Sequence, residues 1–172
     1  QLIKVPLIQD DDLKVVLRQQ GYSSAVVNDI VKVSRGNYIE AKALIENQEE
    51  ESVNSKWFIE WMRVCWQGDV KAILAFISGF VRNPRDVQKN MLVYALRLMR
   101  EAFLLNMKKP ELVRLNSKEE EFAKNFNKFV NSKNIELINN ELNKSIYHIN
   151  RNVNSSVLFF DMSLKFNQYL KM

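Results

Sequence analysis

The sequence predicts an all-α fold: a small three-helix domain over residues 1–50, followed by a six-helix bundle over residues 56–172. Three observations carry this. Four Gly and three Pro in 172 residues are too few for a chain of many tight turns. Apolar residues recur at helical spacing along most of the length. Side chains suited to capping, or turn glycines, stand where those periodic runs begin and end.

The first residues are the exception. Gln1 to Ile8 (Q-L-I-K-V-P-L-I) reads as a short extended segment, with Pro6 marking an edge or an end. A strand with nothing to pair against is what a piece cut from something larger would show. Asp10 to Asp12 then place negative charge on the first turn of a helix running to about Gln20, with Gly21 beyond its end. Ser23 or Ser24 caps a second helix that buries Val26, Val27, Ile30, Val31 and Val33 and closes at Gly36. Asn37 caps a third, with Ala41, Leu44 and Ile45 on one face. Gln48 to Ser55 (Q-E-E-E-S-V-N-S) is polar and acidic and reads as an exposed linker.

The bundle follows. Lys56 to Gln67 carries Trp57, Trp61, Val64 and Cys65 on one side, with Phe58 and Met62 beside them. Gly68 and Asp69 end that helix and cap the next, Val70 to Arg82. Asn83-Pro84 opens the longest helix, to about Met107, whose two adjacent apolar stripes place it at the centre. Ser117 with Glu120 reads as a capping box for a helix with Phe122, Phe126 and Phe129, and Glu119 to Glu121 as a solvated first turn. Asn131 or Ser132 begins a fifth helix, and Asn154 or Ser155 caps the sixth, which is apolar on nearly every side.

Composition removes several classes of function. No run of about 18 apolar residues exists to cross a membrane, and no basic-then-apolar leader opens the chain. A single cysteine cannot form an internal disulfide, so a cytoplasmic location is the default expectation. Net charge is +5, unevenly placed: −3 over residues 1–55 and +8 over residues 56–172. A basic helical region could bind nucleic acid, and this is the alternative function; without a dense Lys/Arg block, a solvated basic surface outweighs it.

No catalytic or metal constellation is present. His148 is the only histidine, and no second nitrogen or sulfur ligand stands at helical spacing from it. Cys65 shares the Trp61 stripe and reads as a small buried hydrophobe. No G-x-x-x-x-G-K-[ST] phosphate loop exists, so no cofactor is expected. Asp161, among Phe159, Phe160 and Met162, is expected to be buried and ion-paired with Arg63, Arg97, Arg100 or Arg151. Trp66 projects away from the Trp57/Trp61 stripe and makes a second apolar face with Ile59 and Met62. That face serves either burial against another helix or a subunit contact.

Two stretches carry a resemblance. The turn and helix G-N-Y-I-E-A-K-A-L, from Gly36, resembles the lid subdomain of AAA+ clamp-loader proteins. The ending R-N-V-N (Arg151 to Asn154) before an apolar run with one acidic residue resembles the delta prime subunit of bacterial DNA polymerase III, in its Bacteroides-type branch. The resemblance implies a fragment made of the end of an AAA+ module, a lid-like domain and a helical collar. It implies oligomerisation with other clamp-loader subunits, of delta and tau/gamma type, rather than enzymatic activity. DNA and the sliding clamp would be met only through the complex. Members that hold ATP have an arginine three residues after the glycine; here that position is Ile39, which cannot bind an anion. Arg35 lies before the turn glycine and reads as a surface residue.

Overall fold

The computed structural model describes residues 7–172, and the expected strand at Gln1–Ile8 falls almost entirely outside them. Among the described residues the chain is all-helical, with nine α-helices. Helix starts follow local chemistry. α1 (Asp10–Gln19) opens on three aspartates, favourable beside the free N–H groups of a first turn. α2 (Ser24–Ser34) is capped by the Ser23 hydroxyl and α3 (Tyr38–Glu46) by Asn37, which accepts from the N–H groups of Ile39 and Glu40. Gly36, at φ +76°, passes so close to Ile8 that any β-carbon would strike the Ile8 carbonyl.

α4 (Gln48–Gln67) corrects the expected linker. Gln48 to Ser55 forms its first two turns, and Asn47 is the only residue between α3 and α4. The reason is physical: three glutamates on a helix N-terminus, with no Gly or Pro following, favour continuation. Nor is the segment short of packing, since Glu50 accepts from Asn90, Glu51 pairs with Arg97, and Asn54 is buried.

The later helices are α5 (Val70–Phe80), α6 (Arg85–Asn106), α7 (Ser117–Phe126), α8 (Ile135–Ile149) and α9 (Ser155–Tyr169). α6 runs through the middle, against α4, α7 and α8, as its two stripes require. The capping box opening α7 is Asn116 with Glu119, one residue earlier than the sequence suggested. Asn serves as N-cap as well as Ser does, and the shift turns Glu119 inward, against the expectation of a solvated turn.

Buried apolar side chains form two clusters. The smaller joins Leu13, Leu17, Val27, Ile30, Val31 and Ala41 of α1–α3. The larger spans α4 to α9 around Phe58, Trp61, Phe80, Met91, Leu98, Phe159 and Phe166. Around Trp61 the aromatic rings meet edge-on or tilted, with Phe159 at 6.0 Å and Phe166 at 4.8 Å, while Phe76 stacks on Phe80 and Phe122 on Phe126. The buried Trp61 indole N–H donates to the Ser163 hydroxyl at 2.9 Å, and that hydroxyl donates to the Phe159 carbonyl at 2.7 Å. Both polar groups are thereby satisfied inside an otherwise apolar interior.

Candidate functional site

Two surfaces stand out, one at the seam between the two clusters and one at the far end of α4. At the seam, polar side chains of α1 and α2 meet the bundle. Lys32 pairs with Glu120, and the Asp29 carboxylate accepts from both the N–H and the hydroxyl of Ser117 at 3.2 and 2.8 Å. Arg35 is at the surface, as expected, but it is also paired. Held at φ +53° as the C-cap of α2, it donates to Glu101 at 2.9 Å. The Glu101 side chain is 0% exposed; it also receives Arg100 and, on its other oxygen, the Arg114 backbone N–H at 2.7 Å. Both oxygens of this deeply buried carboxyl group are thus engaged, as burial of a polar group requires.

Beside this lies a cleft of about 480 Å³. Val26, Ile30, Val33 and Leu44 line one wall, and Ile59 of α4 also faces it, so Ile59 and Trp66 belong to different surfaces. The opposite wall is charged. Arg97 forms a forked pair with Glu119 and reaches Glu51 at 3.4 Å, while its guanidinium lies 5.1 Å from the Tyr94 ring centre. Burial alone would lower the Arg97 pKa, but the bonds and charge of Glu119, with Glu51, outweigh it and hold it above its usual value. Burial raises the Glu51 carboxyl, Arg97 opposing and Glu119 and Glu50 reinforcing the shift. Burial likewise pushes the Tyr94 phenol well up. One cation between two acids makes a structural knot rather than an acid–base pair aimed at open space.

The second surface centres on Trp66, which is 43% exposed and rests on Phe129 with ring centres 4.3 Å apart. The two possible roles of this face are thus both present in part: one side of the indole is buried against the bundle, the other is open.

Other expected site residues resolve clearly. Asp161 is a correction: its side chain is 55% exposed and pairs with Lys165 at 2.6 Å, one helical turn on. The periodicity of α9 turns Leu158, Phe159 and Met162 inward and Asp161 out. None of the four candidate arginines is its partner: Arg97 and Arg100 serve Glu119 and Glu101, and Arg151 stacks over Tyr147 at 4.2 Å. Asn154 is the α9 N-cap, accepting from the Val157 N–H at 3.2 Å. Cys65 is buried, and burial pushes its thiol up to about 12, with the Ser163 hydrogen bond opposing. Ile39 is 80% exposed. Among the described residues no cluster of three or more metal-ligating side chains occurs, and no helix is long and apolar enough to cross a membrane.

No protein-family model, curated protein or solved structure matches this chain. The inward acids Glu101 and Glu119 escaped the sequence reading. Glu101 had one available signal: it follows Leu98 by three residues on the buried face of α6.

Proposed function

We propose that this chain is the assembly part of a replicative clamp loader, the machine that places a sliding clamp on primed DNA. In this reading α1–α3 are a lid-like unit, the α4–α9 bundle is the collar, and the fragment is cytoplasmic and non-catalytic. Its partners are the other clamp-loader subunits, of delta and tau/gamma type, and it reaches DNA and the clamp only through them. The observation that carries the reading is the order of units: three short helices around a small core of their own, then six helices around a larger one. The G-N-Y-I-E-A-K-A-L and R-N-V-N stretches support it by resemblance. The absence of a phosphate loop from the sequence and the outward Ile39 at the turn fit a member that holds no ATP.

The test is a pull-down of the host's clamp-loader subunits by the full chain. The reading expects capture that persists as salt rises, because an apolar collar contact is not built on phosphate neutralisation. Trp66→Ala is expected to weaken capture by about 2 kcal/mol, the scale of an interface anchor. No capture refutes the clamp-loader reading. Binding of DNA that falls steeply with salt favours the nucleic-acid alternative.

A further inference from the structure

The Trp66 surface has a composition that specifies its occupant more narrowly than a generic apolar contact would. Met62, Arg63, Trp66, Phe126, Phe129 and Leu170 line a pocket of about 140 Å³. That volume has room for one apolar side chain and falls below the roughly 300 Å³ at which small-molecule sites begin.

Its walls are fixed from behind by buried or half-buried amides. Asn134, fully buried, donates from one Nδ2 to the carbonyls of Phe129 and Tyr169 at 2.8 and 2.9 Å, tying the short turn that carries Phe129 to the end of α9. Asn167 donates to the Cys65 carbonyl at 2.6 Å, tying the end of α4 to the same helix. The pocket is therefore formed before anything enters it, which lowers the ordering cost of binding.

The rim is positive. Arg63 lines the pocket, the Lys128 ammonium lies 5.1 Å from the Phe129 ring centre, and Lys171 bonds to Asn167. All three side chains belong to exposed residues, and among the described residues none of them forms an ion pair. Three unpaired cations around one small apolar pocket are complementary to a chain that brings its own acids.

We infer that the Trp66 pocket docks an acidic peptide segment of a partner protein, one apolar side chain entering between Trp66 and Phe129 and flanking carboxylates meeting Arg63, Lys128 and Lys171. The inference rests on taking the Trp66 surface as a protein contact, and not on which complex the chain joins. The complementary charges would speed encounter and set orientation, while the buried side chain supplies slow release.

The experiment titrates the full chain into a fluorescein-labelled peptide with one central leucine flanked by glutamates, read by anisotropy. Saturable binding with a Kd of about 100 μM or tighter is expected. Replacing the central leucine by alanine, or the glutamates by lysines, should each weaken it at least about tenfold. Arg63→Glu and Lys128→Glu remove no ion pair and should leave the circular dichroism unchanged while also weakening binding about tenfold.

Four results would overturn the proposal: no saturation at about 1 mM protein, equal binding of the lysine-flanked peptide, unaltered binding by both variants, or displacement of the peptide by a labelled oligothymidine. Sedimentation supplies a fifth, a Trp66-dependent dimer that covers the pocket with a second copy. Because no clamp-loader subunit is used, failure here is separable from failure of the pull-down.

Discussion

Replacing Arg97 by Met isolates the energetics of the charged wall that α4, α6 and α7 present to the cleft. The Glu119 side chain is 2% exposed, and its partners are the two Arg97 nitrogens and the Asn116 N–H at 3.0 Å. Met keeps much of the aliphatic stem and removes the charge, so the loss falls on the ion pair and the contact with Tyr94. Removing one member of a buried pair costs about 3–5 kcal/mol, because the other charge is left without a partner. Arg97 retains 24% exposure, so water can enter the vacated space, which places the expected cost near the lower end, about 3 kcal/mol. Against a total of roughly 5–15 kcal/mol that is a large fraction, and about 6–12 °C in Tm for a chain of this length.

Urea unfolding followed by far-UV circular dichroism measures it. A second arm tests the cause. Adding Glu119→Leu to Arg97→Met should recover much of the loss at neutral pH. A cost under about 1 kcal/mol, or one that the added Glu119→Leu does not reduce, refutes the account of a buried pair at this site.

Three further outcomes are expected. Gly68→Ala should cost about 1–2 kcal/mol by thermal unfolding, since Gly68 sits at φ +72° and a β-carbon there would lie 2.5 Å from the Asn167 amide that caps α4. Cys65, protonated throughout the physiological range with its thiol pushed up to about 12, should react with a thiol reagent only as fast as the bundle unfolds; rapid native-state labelling would contradict its burial. Glu51, raised by burial, takes up its proton more readily folded than unfolded. The wild type should therefore gain stability over Glu51→Gln as pH drops through the window from that raised value to about 4.5, seen in parallel urea titrations.

How far the sequence discloses this molecule depends on the range of the forces involved. Helix ends are local events, and Ser23, Asn37, Asp69 and Asn154 announce them with their own side chains. Apolar periodicity likewise marks which faces of α5, α6 and α8 turn inward. The acids are a different matter. Asp161 sits among apolar neighbours in the sequence and Glu119 among charged ones, yet Asp161 points to solvent and Glu119 inward. A shift of one residue in a cap or stripe reverses a side chain, and such a shift is invisible in composition. The partners of Glu119, Glu101 and Lys32 lie 22, 66 and 88 residues away, so no local pattern could name them. The helical state of Gln48 to Ser55 was obscured for a related reason: its acidity suggested solvent, but its contacts are to α6, distant in sequence.

That continuous α4 has a mechanical consequence. Twenty residues of helix form a rod of roughly 30 Å. One end abuts Asn47, the lone residue between it and α3; the other carries Trp66 and its pocket. The Trp66 pocket and the three small helices are thus joined through one continuous helix, with Asn47 at its base. The seam of charged side chains acts as the brace of that junction. Weakening that brace, by salt or by substituting Arg35 and Lys32, whose partners Glu101 and Glu120 lie across the seam, would loosen the small unit while both apolar cores stayed intact.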